Sequence, residues 1–167
     1  MGKERSEDKK EKTTEQERSR IRISVRNLVE FLLREGDIDN RHRQSVSPEA
    51  MLEGSRMHRK IQKRQGSDYH AEVPLRLVIT EENYDIFLEG RADGIQISSR
   101  LGREINFSDN FHTMEIEPDM DVMIDEIKGV YMKLEHLTEP VRVHKAQAMC
   151  YAYIFALQHD IAQIRIQ

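Results

Sequence analysis

A chain of 167 residues is one domain long, and its 38% apolar and 34% charged residues, with no Trp, describe a folded protein with a generously charged surface. Its apolar runs are only a few residues long, which excludes a membrane-spanning helix, and residues 1 to 20 contain no apolar segment that could serve as a signal peptide. The net charge of −4 argues against broad non-specific coating of nucleic acid, yet leaves room for a local acidic site with a basic rim.

Cys150 is the one cysteine, so an internal disulfide and a zinc or iron–sulfur site built mainly from cysteines are both excluded. A reducing cytoplasm is the compartment this favours. Cys150 itself falls in an apolar helical run and reads as a small core residue. Met1-Gly2 with Ser6 fits the loose N-myristoylation pattern, in a segment otherwise too charge-dense to mark a membrane protein.

Residues 1–20 mix charged residues with Ser and Thr and are expected to be a disordered tail, leaving 21–167 as the folded domain. Ser24 is a candidate N-cap for a helix over 24–35, with Val25, Leu28, Val29 and Leu32 as its apolar stripe and Gly36 as its stop. After a polar loop, Ser47-Pro48 opens a second helix bearing Met51, Leu52, Met57 and Ile61, ending near Gly66. Residues 71–80 read as a strand with Pro74 at an edge or bulge, 81–83 as a turn, and 84–98 as one long strand or two broken near Gly90 and Gly94. A polar loop over 99–120, with a short strand at 113–117, leads into a strand over 121–128. Thr138 and Pro140 open a long helix reaching Gln158, and 161–166 alternates as a strand does. This order predicts an α/β domain around a mixed sheet. The last strand-like run reaches the end of the sequence without a polar tail, as expected of a piece of a longer protein.

The chemistry gathers on a few positions. Asp93 lies in Gly90-Arg91-Ala92-Asp93-Gly94, and Glu126 and Lys128 lie in Val122-Met123-Ile124-Asp125-Glu126-Ile127-Lys128. Two carboxylates hold a hard divalent cation, and a lysine beside them steadies an attacking water or a phosphate charge. On a strand, Glu126 and Lys128 point one way and Asp125 the other, which selects Glu126 for the metal. Val122, Met123, Ile124 and Ile127 mark that strand as interior, where charges are costly unless paired or bound to a metal. His58 sits on the second helix within a basic cluster of Arg56, Arg59, Lys60, Lys63 and Arg64, a candidate phosphate-facing rim. On the last helix His144, Gln147 and Tyr151 are spaced to share a face. Taken singly, Asp93 also reads as a turn residue, His58 as a surface histidine and Tyr151 as core.

The order His58, Asp93, Glu126-x-Lys128, Gln147-x-x-x-Tyr151 resembles the RecB-type branch of the PD-(D/E)XK nuclease superfamily, the group that includes CRISPR-associated exonucleases and helicase–nuclease fusions. The resemblance runs from Ser24 to Ile166, and Ala92 stands where the superfamily's name has a proline. It implies a restriction-endonuclease-like mixed β-sheet flanked by helices and Mg²⁺- or Mn²⁺-dependent cleavage of DNA, in repair, recombination or phage and CRISPR defence. His58, Asp93, Glu126 and the Ile127 backbone carbonyl would hold the ion, with Lys128 positioning the attacking water and offsetting developing negative charge. Gln147, Tyr151, His144, Arg59 and Lys63 would meet the DNA, with Glu72 as a supporting acid. Many relatives carry an iron–sulfur cluster on a set of cysteines that this chain lacks. A helicase domain or subunit is the implied partner. The competing expectations are a catalytically idle nucleic-acid-binding module of a helicase and a hydrolase of small phosphoesters.

Overall fold

A computed structural model of the chain describes residues 18–34, 47–105, 113–129, 134–136, 139 and 141–167. Five strands form one mixed sheet: β1 (Ser19–Ser24), β2 (Tyr69–Thr80), β3 (Tyr84–Ser99), β4 (Met120–Asp125) and β5 (Arg165–Ile166). The helices are α1 (Val25–Leu32), α2 (Pro48–Gln62) and α3 (Arg142–His159), with a short 3₁₀ turn at Leu134–His136. The expected α/β class with a mixed sheet flanked by helices is what the chain adopts. None of the described helices is long and apolar enough to cross a membrane.

The sheet is built around β3, sixteen residues long. β2 runs antiparallel along one edge of it, pairing Thr80 with Asp85 at one end and Tyr69 with Gln96 at the other. Two strands share its other edge. β1 pairs in parallel with Tyr84–Glu89, and β4 pairs antiparallel with Gly94–Ser99. Residues 90–93 of β3 therefore have no strand beside them on that edge. Backbone groups left over in such a notch must find other partners. β5 adds in parallel to β4 through Met123↔Arg165 and Ile124↔Ile166.

The core lies against this sheet and includes Val25, Val29, Val73, Leu75, Leu88, Ala92, Ile95, Ile97, Val122, Ile124, Tyr151, Ile154 and Phe155. Along β3 the fully buried side chains change from Leu88 and Ala92 to Ile95 and Ile97, so packing crosses from one face of the strand to the other near Asp93. Ser24 closes β1 and caps α1 at once: its hydroxyl accepts from the Asn27 amide at 3.1 Å. Ser47 caps α2 in the same way through Ala50. The two helix starts expected at Ser24 and Ser47-Pro48 are thus in place.

Several boundaries differ from expectation. The expected tail overlaps β1, because the Arg20-Ile21-Arg22-Ile23 alternation finds β3 as its partner; residues 1–17 lie outside the described residues, as do Gly36, Thr138 and Pro140. Leu32 is exposed rather than core. Helix α2 stops at Gln62, four residues short of Gly66, and none of its residues is buried, including Met51, Leu52, Met57 and Ile61. No strand forms among the described residues 113–119. Strand β4 ends at Asp125 rather than running to Lys128, because the next amide on the β3 side, that of Ile127, bonds the Asp93 carboxylate instead of the β3 backbone. The last strand holds only Arg165–Ile166.

Candidate metal centre and its cleft

The notch at residues 90–93 is where three layers meet. Tyr151 from α3 lies directly over Gly90: a Cβ there would sit 2.6 Å from the ring and 2.9 Å from the hydroxyl, so only glycine lets the tyrosine so close. The Arg91 backbone hydrogen-bonds the same hydroxyl, satisfying a group that no strand serves. Burial, with the Glu126 carboxylate nearby, pushes the Tyr151 phenol up to about 12, so it remains an O–H donor throughout the physiological range.

Asp93 is fixed by its neighbours. Its Oδ2 accepts the Ile127 amide at 2.7 Å and its Oδ1 lies 3.4 Å from His58 Nδ1. Directly across the ladder from it stands Glu72, at a gap between the pairs Ala71↔Gly94 and Val73↔Ala92. Glu72 has φ +58, a left-handed conformation that a non-glycine residue adopts at a cost of about 1 kcal/mol. Gln62 closes the group from α2: its Nε2 donates to Glu72 Oε1 at 3.0 Å and to the Asp93 carbonyl at 2.9 Å. One ligand atom from each of His58, Glu72 and Asp93 lies within 4.8 Å of the other two. One imidazole and two carboxylates are a suitable donor set for Mg²⁺ or Mn²⁺.

Glu126 and Lys128 line the same cleft, joined at 2.5 Å. The Glu126 side chain is 6% exposed and that of Lys128 33%. Burial raises the pKa of Glu126, and the hydrogen bond and charge of Lys128 only partly counter this. The cleft, about 850 Å³ in volume, is lined by His58, Arg59, Glu72, Asp93, Glu126, Lys128, Gln147 and Tyr151, together with Arg26, Ser55, Gln62 and Arg91.

Most sequence candidates are therefore brought together: His58, Asp93, Glu126, Lys128, Glu72, Arg59, Gln147 and Tyr151 share one cavity. Glu72 belongs to the tight donor group, whereas Glu126 pairs with Lys128. The Ile127 contact on Asp93 is through its amide; this orients the acid from the strand opposite. His144 lines an adjoining pocket of about 380 Å³ with Glu126 and Lys145. Burial, then the charges of Lys128 and Arg26, lower its pKa. Lys63 forms the C-cap of α2 and is absent from the cleft wall.

Four contributors were missed from the sequence. Gln62, Arg91 and Arg26 carry no motif. The fourth, Tyr69, occupies the space over Gly94 and donates to Asp125 Oδ2 at 3.0 Å. Asp125 is 8% exposed, and burial raises its pKa despite that bond. This pair anchors the end of β4 one residue before Glu126. Comparison of the chain with protein-family models, curated proteins and solved structures finds no match, so its chemistry is argued from this geometry.

Proposed function

We propose that this chain is a divalent-metal-dependent phosphodiesterase acting on DNA, an exonuclease or end-processing nuclease of the RecB-type PD-(D/E)XK kind, with a restriction-endonuclease-like sheet. Work beside a helicase in the cytoplasm, in repair, recombination or defence against phage, belongs to the same proposal. One observation carries it: a His–Glu–Asp donor group and a buried acid–lysine pair line a single cleft whose other lining residues, Leu52 apart, are hydrogen-bond donors and cations.

His58, Glu72 and Asp93 would hold the cation, with Glu126 lining the same cleft. Such an ion supplies polarisation of a phosphoryl oxygen and a bound water of lowered pKa. Lys128 offsets the negative charge that builds on the phosphoryl oxygens, from a position fixed by Glu126. Tyr151 and Gln147, each 5% exposed, donate hydrogen bonds from a rigid helix and orient the strand. Arg59, on the exposed helix α2, meets a flanking phosphate. Ile127 and Gln62 keep Asp93 and Glu72 aimed.

The test is incubation of the purified protein with end-labelled single- and double-stranded DNA, in Mn²⁺ or in chelator, beside a generic small phosphodiester. Metal-dependent shortening of the DNA, with little turnover of the small ester, is the expected result. Turnover of the small ester alone would replace DNA by small phosphoesters as the substrate class. Absence of any metal-dependent cleavage would leave the cleft as a binding module only.

A further inference from the structure

Each acid in the cleft already has a basic partner of the protein's own. Lys128 holds Glu126 at 2.5 Å, His58 faces Asp93 at 3.4 Å, and Arg91 Nε holds Glu72 Oε2 at 2.8 Å. The last pair stands out, because Glu72 belongs to the donor group that would take a divalent ion. The other arginines of the cleft bond outside the donor group. Arg26 Nε bonds Glu30 at 2.7 Å, and Arg59 Nε donates to the Ser55 carbonyl of its own helix. Arg91 is thus the arginine whose partner a metal would claim.

We propose that Arg91 is a metal-released phosphate-binding residue: it neutralises Glu72 while the site is free, and passes to the substrate when a divalent cation takes that carboxylate. The inference rests on the functional reading above and assigns it an order of binding, metal first and DNA second. Arg91 and Asp93 are two residues apart on β3, so both side chains leave the strand on the same side. The Arg91 side chain is 66% exposed, so the guanidinium swings without unpacking the core. A double positive charge on Glu72 repels the guanidinium and removes most of what held it. The guanidinium presents a fork of donors suited to a phosphate. Gln62 still holds Glu72 Oε1, so the carboxylate stays in place when Arg91 leaves.

The two halves of this proposal have opposite signs in one variant. Arg91→Gln removes a competitor for Glu72 and also removes a phosphate contact. Mn²⁺ binding is followed by titration calorimetry, and DNA binding by anisotropy of a labelled phosphorothioate-linked oligonucleotide, in Mn²⁺ and in chelator. Arg91→Gln is expected to bind Mn²⁺ about threefold or more tightly, and to lose most of an affinity gain for the oligonucleotide of about tenfold that Mn²⁺ gives the wild type. In chelator both proteins should bind the oligonucleotide alike. Weaker Mn²⁺ binding by Arg91→Gln would overturn the proposal, since Arg91 would then only brace Glu72; so would an undiminished gain from Mn²⁺. Should the glutamine variant melt early, Arg91→Lys, which keeps the charge without the fork, should bind Mn²⁺ as the wild type does and still lose most of the Mn²⁺-dependent gain in oligonucleotide affinity; an undiminished gain would overturn the proposal. A wild type that neither binds Mn²⁺ nor cleaves DNA sinks the functional reading itself. One that does both, while Arg91→Gln responds with the wrong sign, sinks only this inference.

Discussion

Gly94→Ala should be among the most damaging small substitutions in the domain. A Cβ at this position falls well inside contact distance of Tyr69 Oη and Cζ, and 2.6 Å from its Cε2. The ring is rigid and its hydroxyl is bonded to Asp125 Oδ2 at 3.0 Å, so it has to swing away from its partner. Overpacking of this kind costs about 1–3 kcal/mol. A lost hydrogen bond to a charged group costs about 1.5–3 kcal/mol more, and Asp125 is left with little solvent to replace it. Allowing for partial relaxation, the loss is about 3 kcal/mol, a fall in Tm of about 6–12 °C for a chain of this size. The assay is a double-mutant cycle by thermal and urea unfolding, with Tyr69→Ala as the second change. Once the ring is gone, Gly94→Ala should cost less than about 1 kcal/mol, giving a coupling of about 2 kcal/mol. Additive effects would refute the reasoning, because the steric conflict would then lie elsewhere.

Two further predictions concern charge. Burial raises the pKa of Asp125, so its ionised form destabilises the fold at pH values above that raised pKa; Asp125→Asn, which still accepts from Tyr69, should raise Tm at pH 7–8, and the gain should shrink as pH falls through the raised value. Melting both proteins between pH 5 and 8 tests this, and a lower Tm for the variant near neutrality would contradict it. His144 has a lowered pKa, so the unfolded chain takes up a proton near pH 6.5 when the folded one does not; stability should fall as pH drops from about 6.5 toward the folded value. His70 acts in the same direction, and His144→Leu should flatten, without abolishing, the slope of Tm against pH.

What the sequence made legible were features that local chemistry dictates. Ser24 and Ser47-Pro48 announced their helices because a hydroxyl cap and a first-turn proline act within one turn. Gln147 and Tyr151, a helical turn apart, do share a wall of the cleft. What stayed hidden depended on partners distant in the chain. β1 went unrecognised, with Ser19 and Arg20 counted in the tail, because four alternating residues become a strand only when β3 offers them an edge. The end of β4 at Asp125 was invisible because it is set by Asp93, thirty-four positions before Ile127, whose carboxylate claims the Ile127 amide. Gln62 and Arg91 look like ordinary surface residues until β2 and β3 bring Glu72 opposite Asp93. Glu72 passed for a minor acid because nothing local shows the left-handed turn that places it in the donor group.

The account's central claim is that His58, Glu72 and Asp93 hold a divalent cation that this cleft uses on DNA. The most direct measurement is a Mn²⁺ titration followed by thermal melting, with Mn²⁺-dependent cleavage of end-labelled DNA read on the same samples. The wild type should gain several degrees in Tm and shorten the DNA, and Asp93→Asn should fold, gain nothing from Mn²⁺ and leave the DNA intact. An Asp93→Asn protein that responds to Mn²⁺ and cleaves as the wild type does would contradict the account.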